Sequence, residues 1–234
     1  MSYSEAASRR DFTVNSIGYD LLTKTLLDPF DGLGDIKHKI LRHVGPAFAE
    51  DPLRVLRAMQ FSARLEFKIA PETVQLCKTL DLEELSKERI FEEFRKLLLK
   101  AKRPSIGLEA AKILGILAYF PELKALIGVP QDPKWHPEGD VWTHTLLVLD
   151  EAADLRIGNG KLDLELMFGA LCHDFGKPLT TEILQGRWRS PAHDVEGVAP
   201  TEQFLRRLTD DRVLIEQVTI LVKEHLRPIQ LFKE

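Results

Sequence analysis

The chain has 234 residues, of which 44% are apolar, and a formal net charge of −4; this excludes global disorder and a uniformly basic nucleic-acid binder. No run approaches the roughly 18 apolar residues of a membrane span, and no N-terminal secretory signal is present, so a cytoplasmic protein without membrane contact is expected. A chain of this length buries about 70% of the surface its unfolded form exposes, enough for one large domain or two modest ones. Cys77 and Cys172 sit in apolar helical runs and read as reduced core residues. Charge is uneven: residues 1–126 hold 20 Lys+Arg against 18 Asp+Glu, and residues 127–234 hold 12 against 18. A phosphate-rich partner is therefore expected to meet the first half.

In chain order, Phe12 to Asp20 and Thr25 to Asp28 are short branched or aromatic runs that predict the two strands of a hairpin. Asp28-Pro29-Phe30-Asp31-Gly32 is a turn, and Lys39 to Val44 predicts a third short strand. So thin a sheet needs something to cover or extend it. From Asp51 the period becomes helical: Leu53, Leu56, Met59 and Phe61 form an apolar face, while Arg54, Arg57 and Arg64 recur on another. Pro52 suits the first turn, with Asp51 as its cap. Pro71-Glu72 opens a further helix, Leu85 to Ala101 is amphipathic, and Ser105 to Leu117 predicts another helix before Pro121 breaks the pattern. Gly128 to Gly139 holds three prolines and two glycines in twelve residues and reads as a boundary. Beyond it, helices are predicted over Trp142 to Leu155, Leu162 to Phe175, Ala199 to Leu208 and Asp211 to His225, with a polar loop from Thr180 to Asp194.

Two constellations carry chemistry. Residues three apart share a helical face, so Asp51, Arg54 and Arg57 can present a carboxylate and guanidiniums to the Watson-Crick edge of a base. Arg9 and Arg10 suit triphosphate or ribose contacts, and Asp11 suits orienting an arginine or accepting from a hydroxyl. Asp-Arg pairs at this spacing are also common solvent-facing ion pairs. The second constellation is His144, His173-Asp174, His193 and His225. Imidazoles bind divalent transition metals, and an aspartate can bridge two of them; a bound ion would acidify water and polarise a phosphoryl group, with Lys177 placed to contact phosphate. The same histidines also read as partly buried side chains satisfied by their neighbours, His225 gaining from a helix C-terminus.

These residues resemble the bacterial class II tRNA nucleotidyltransferase (CCA-adding enzyme) and poly(A) polymerase family. Arg9-Arg10-Asp11-Phe12-Thr13-Val14-Asn15-Ser16-Ile17 resembles its motif for the nucleotide's sugar and phosphates, and Asp28 to Gly32 its flexible head-to-neck element. Glu50-Asp51-Pro52-Leu53-Arg54-Val55-Leu56-Arg57 resembles its amino-acid template, and Leu85 to Ile90 with Glu92, Glu93 and Lys96 its neck motif. The likeness implies that Asp51 and Arg54 pair with the bases of CTP and ATP, that Arg57 supports them, and that Arg9, Arg10, Asp11 and Asn15 complete the nucleotide site. Trp135 to Thr145 and Ala170 to Lys177 resemble the HD phosphohydrolase domain of the same enzymes. That domain is linked to metal-dependent 2',3'-cyclic phosphodiesterase, 2'-nucleotidase and phosphatase activities. By this likeness His144, His173, Asp174, His193 and His225 are metal ligands, with His173, Asp174 and Lys177 catalytic. The superfamily's closing aspartate is not evident after His225.

The resemblance implies a mainly α fold: a small β remnant of the nucleotidyltransferase palm at residues 1–45, a helical neck and template at 46–127, and an all-helical HD domain at 128–234. It implies the tRNA 3' end, CTP and ATP as partners. Mg²⁺ would serve the full-length polymerase, and Ni²⁺, Mn²⁺ or another divalent transition metal the HD site. In the family a Gly-Ser motif and paired metal-binding aspartates precede the Arg-Arg-Asp-Phe motif; here eight residues precede Arg9. The chain as given is therefore expected not to polymerise, as a fragment or a short relative of the enzyme. Addition of A alone, an independent HD phosphohydrolase, and a non-catalytic tRNA-binding scaffold are the alternative readings.

Overall fold

The computed structural model describes residues 2–231. Its first helix, α1 (Tyr3–Ala7), opens on a capping box between Ser2 and Glu5. Strands β1 (Gly18–Asp20) and β2 (Thr25–Leu27) pair antiparallel, Gly18 opposite Leu27. After α2 (Gly32–His38), β3 (Ile40–Leu41) pairs in parallel with β4 (Lys68–Ile69) on the far side of α3 (Leu53–Leu65). Four helices follow: α4 (Pro71–Cys77), α5 (Lys87–Lys100), α6 (Pro104–Leu114) and α7 (Pro121–Ala125). The second half holds α8 (Val141–Asp154), α9 (Gly160–Cys172), α10 (Lys177–Thr180), a hairpin of β5 (Glu182–Leu184) and β6 (Arg187–Arg189), then α11 (His193–Glu196), α12 (Val198–Leu208), α13 (Arg212–Glu224) and α14 (Arg227–Leu231). The fold is mainly helical with a minor β component at the front, as the pattern predicts, and with one hairpin, β5–β6, inside the segment expected to be all-helical.

Local polar chemistry accounts for the departures. The first predicted strand is only β1; Thr13–Asn15 is a 3-10 turn. Ser16 Oγ donates to Phe12 O at 3.0 Å and Thr13 Oγ1 to Asp35 Oδ2 at 2.7 Å, so short side chains curl the backbone instead of leaving it free for a ladder. Asp28 is not merely a turn residue, because its carboxylate accepts from Gly32 N and Leu33 N and so starts α2, a helix the sequence reading did not place. Pro121 opens α7 at its first turn instead of ending a run. Pro178 likewise falls in the first turn of α10. The stretch from Thr180 to Asp194 contains the β5–β6 hairpin, whose two-residue turn has Gln185 at φ 53° and Gly186 at φ 74°. His225 caps α13, which is followed by α14 and so is not the final helix.

One hydrophobic core runs through both halves, from Phe12 to Val222, and crosses the Pro- and Gly-rich segment at 128–139 without interruption. Its hinge is aromatic: Phe94 of α5, Phe120 and Phe204 of α12 meet edge to face with centroids 5.1 to 6.0 Å apart, and Phe91 stacks on Phe168 of α9. Each such fully buried ring contributes roughly 2 to 3 kcal/mol. The neck helix α5 is thereby fixed against the helix that carries the His-Asp pair. Among the described residues no helix is long and apolar enough to cross a membrane.

Candidate nucleotide pocket and metal centre

At the front, α3 and the residues before the 3-10 turn face each other. Arg57 Nε donates to Asp11 Oδ2 at 2.7 Å, and its NH1 lies 3.9 Å from Glu93 of α5. Asp11 is buried; its other oxygen accepts from Phe12 N at 2.8 Å and Asn15 Nδ2 at 2.9 Å. Glu93, 1% exposed, is completed by Lys96 Nζ at 2.9 Å. Arg57 thus falls within a chain of polar contacts, Asn15–Asp11–Arg57–Glu93–Lys96, whose two carboxylates are buried and which ties the Arg-Arg-Asp-Phe segment to α5. Asp51 does not pair with Arg54. Both its oxygens accept from Arg89 NH2, at 2.9 and 2.8 Å, while Oδ1 also accepts from Leu53 N. It is therefore a partial cap placed one residue before the helix's own cap, Pro52. Arg54 donates to the carbonyls of Ala47 and Arg9. Arg9 and Arg10 are exposed, Arg10 donating to Asn15 O at 3.0 Å.

At the back, four imidazoles converge on one carboxylate. Asp174, 1% exposed, has Oδ2 at 3.1 Å from His173 Nε2 and 3.8 Å from His144 Nε2, and Oδ1 at 3.4 Å from His193 Nε2. His225 completes a second three-residue group with Asp174 and His193. These residues come from α8, the end of α9, α11 and the end of α13. Gly176 allows the approach: a Cβ there would lie 2.1 Å from His193 O and 2.6 Å from Gly197 N, so any side chain would push α11 off the cluster.

The orientation of each ring is fixed from outside. Nδ1 of His173 meets Ala170 O at 2.8 Å, Nδ1 of His193 meets Ser190 O at 2.7 Å, Nδ1 of His225 meets Val222 O at 2.6 Å, and Nδ1 of His144 meets Glu138 Oε1 at 2.7 Å. With Nδ1–H donated outward, loss of the Nε2 proton, which metal binding requires, leaves an inward-facing lone pair on each ring. Burial pushes His144 and His225 below the ordinary imidazole value, which keeps both rings neutral. For Asp174, burial alone would raise the pKa, but the charges of His173 and Lys177 beside it outweigh burial and hold the carboxyl far below its usual range. Lys177 Nζ stands 2.8 Å from Asp174 Oδ2 and donates to Gln131 Oε1 at 2.6 Å. Oδ2 is buried yet accepts no well-aligned hydrogen bond. Spacings of 3.1 to 3.8 Å match ligand edges of about 3.4 Å around a tetrahedral ion with bonds near 2.1 Å. The donor set, imidazole nitrogen with a single carboxylate, therefore fits a divalent transition metal, and the two groups sharing Asp174 offer one position on each of its oxygens.

Glu138 and Gln131 had no assigned role. Burial would raise the Glu138 pKa, but its own backbone N–H, His136 and His144 donate to it and bring it down to about 2. It is thus an ionised anchor for His144. Its signal was present as a carboxylate two residues after His136 and six before His144; Gln131 carried none. Arg89 lay in the neck motif without a specified partner.

Three stretches of the chain match known protein families. Residues 1–42 match the poly A polymerase head domain, residues 66–127 the probable RNA and SrmB-binding site of polymerase A, and residues 141–232 the HD domain. The chain therefore has the ordered modules of a nucleotidyltransferase that carries an HD domain. It belongs to the bacterial class II tRNA nucleotidyltransferase and poly(A) polymerase family. A multifunctional CCA protein of Xylella fastidiosa is 43% identical over 96% of the chain and 54% of its own length. The chain thus spans about half the length of the curated relatives it matches. A solved tRNA-processing enzyme in an apo form superposes with TM-score 0.62 at 25% identity, covering the whole chain and 61% of that protein. A tRNA-processing enzyme with CTP gives 0.50 at 26% identity, covering the whole chain and 68% of that protein.

Proposed function

We propose that this chain carries the base-selecting template and tRNA-binding neck of a CCA-adding nucleotidyltransferase, with Asp51 and Arg54 reading the bases of CTP and ATP at a tRNA 3' end. The observation that supports it most is the Arg9–Asn15 segment bound through Asp11 to Arg57 of the template helix, with Arg54 donating to the Arg9 carbonyl. The modules divide at 45/46 and 127/128 in this reading. Arg54→Ala is expected to weaken CTP binding by about tenfold, the loss of hydrogen bonds from a charged donor, whereas Arg103→Ala, on an exposed helix start, leaves it within about twofold. Equal losses in isothermal titration would remove the template role.

A second activity is supported by the inward-facing Nε2 set around Asp174: metal-dependent hydrolysis of 2',3'-cyclic or 2' phosphates at the HD site. His144, His173, Asp174, His193 and His225 would hold Ni²⁺, Mn²⁺ or a related ion, which would supply polarisation of water and of a phosphoryl oxygen. Lys177 donates to a non-bridging phosphoryl oxygen as charge builds there. In the step itself the water oxygen bonds to phosphorus, the bond from phosphorus to the 3' oxygen breaks, and the water's proton ends on that leaving oxygen. Asp174→Ala is expected to abolish Mn²⁺-supported hydrolysis of 2',3'-cAMP; retention of the wild-type rate would move the chemistry elsewhere.

A further inference from the structure

The cleft over the His-Asp cluster has a volume of about 710 Å³, within the range that holds a small organic ligand. Its floor is the metal set, while its rim carries Trp135 on one loop and Arg187, Trp188 and Arg189 on β6. This rim has no part in holding the cluster. Trp135 is 70% exposed and Trp188 37%, although indole is the side chain that gains most from being covered. Lys134 Nζ lies 5.3 Å from the Trp135 ring centroid, a cation–π contact that steadies the ring.

The hairpin's position relative to the cluster is fixed. A two-stranded hairpin is marginal alone, and this one is clamped at its base: Thr181 Oγ1 meets Ser190 Oγ at 2.8 Å and donates to Lys177 O at 2.7 Å. The Ser190 carbonyl is also the acceptor that orients His193. One residue therefore closes the hairpin and aims a metal-site imidazole. The charge of the hairpin is opposite to its surroundings. Residues 127–234 carry six more acidic than basic groups, yet β5–β6 holds two arginines against Glu182, which pairs in register with Arg189 and leaves Arg187 opposite Leu184.

We propose that Trp188 of β6 and Trp135 are the residues that hold the nucleobase at this cleft, with Arg187 and Arg189 beside them for phosphate. The proposal rests on the phosphohydrolase reading of the cluster and names the residues that set its preference. Flat, polarisable indole faces bind any base by stacking, and neighbouring guanidiniums bind phosphate; a sugar phosphate or an inorganic ester would use the second and not the first. The specificity is then for a nucleoside over other phosphate esters, with little preference among bases.

The test uses the full chain loaded with Mn²⁺ and titrated calorimetrically with 2'-AMP and with inorganic phosphate. Stacking of one base is expected to change affinity about 5- to 150-fold. Trp188→Ala should lower the ratio of 2'-AMP to phosphate affinity by about tenfold or more, Trp135→Ala should act in the same direction, and Trp188→Phe should restore most of it. Bound metal and unfolding midpoint verify that each variant is folded. In hydrolysis of 2',3'-cAMP, Trp188→Ala should raise KM with kcat within about twofold. An RNA oligonucleotide ending in a 2',3'-cyclic phosphate, assayed beside 2',3'-cAMP, says whether an RNA end or a mononucleotide is preferred, and in either arm the dependence on Trp188 decides the proposal. If the wild type hydrolyses neither compound yet binds 2'-AMP through Trp188, the phosphohydrolase reading falls and the subsite stands. If hydrolysis proceeds and the affinity ratio is unmoved in folded Trp188→Ala and Trp135→Ala, the subsite is overturned and the hydrolysis reading stands.

Discussion

The two halves of the molecule hold their candidate groups in opposite ways. At the front, reading groups are turned toward other protein groups: Asp51 is held by Arg89, and Arg54 by the carbonyls of Ala47 and Arg9. A base can be read only by exchanging those partners. At the back, the imidazoles use only Nδ1 on the protein and present Nε2 to a shared interior point. A metal ion needs no exchange of histidine partners there. In the proposed reading, the front groups must exchange hydrogen bonds to act, whereas the imidazoles keep theirs.

The largest expected effect tests the fixed half. Asp174→Asn keeps the shape but removes the anion common to both three-residue groups. Metal affinity, measured by chelator competition, is expected to fall by more than about 100-fold, beyond the 10- to 100-fold usual for an outer-shell partner. A fall of a few-fold would mean that the histidines are merely packed side chains.

Next in size is Arg57→Ala, which probes what holds the switching half together. It leaves the buried Asp11 carboxylate without its cation, as the variant side chain offers no donor. Removing one partner of a buried pair costs about 3 to 5 kcal/mol; Arg57 is partly solvent-exposed, so roughly 2 to 3 kcal/mol is expected in denaturant unfolding. A loss below about 0.5 kcal/mol would place this chain among ordinary surface ion pairs. Glu138→Gln follows: the amide still reaches His144 Nδ1 but carries no charge, and metal affinity should drop about tenfold to 100-fold with the unfolding midpoint little moved. The Arg54 and Arg103 comparison in CTP binding is smaller again, because water replaces a lost hydrogen bond at a half-exposed site.

How much of this was legible in the sequence depends on the range of the interaction. Helices α5, α8 and α13 follow from a 3.6-residue period, while the caps of the last two, Asp140 and Asp211, were not singled out in the sequence. Thr13–Asn15 was misread because Phe12, Thr13 and Val14 suit a strand, while what decides is Asp35, twenty-two residues from Thr13. Residues 182–189 read as a loop since polarity outweighed Ile183, Leu184 and Trp188, and the left-handed pair Gln185-Gly186 is a weaker hairpin signal than Asn-Gly. In the site, residue types and spacing pointed to the five metal-site residues. They did not show that Asp51 would meet Arg89 or that Lys177 would meet Gln131, because both contacts join segments more than thirty residues apart.

The smallest effect is a pH dependence within the back half. Burial lowers the folded pKa of His144 and His225 below the ordinary 6.5. The unfolded chain then takes up protons first as pH falls, so stability is fully present above 6.5 and declines below it until the folded values are passed. Glu138 acts in a lower window. Its folded pKa of about 2 against 4.5 means that its contribution is present above 4.5 and is lost between 4.5 and 2. Acidification should therefore loosen the metal-free back half in two steps, histidines before the carboxylate. The unfolding midpoint of metal-free protein, followed from pH 7.5 to 2, is expected to fall less steeply above 4.5 in His225→Asn than in the wild type, and Glu138→Gln should flatten the part below 4.5. Equal slopes in the wild type and His225→Asn would show that the imidazole is as easily protonated in the folded chain as in the unfolded one, and the inward-facing lone pair at that position would lose its physical basis.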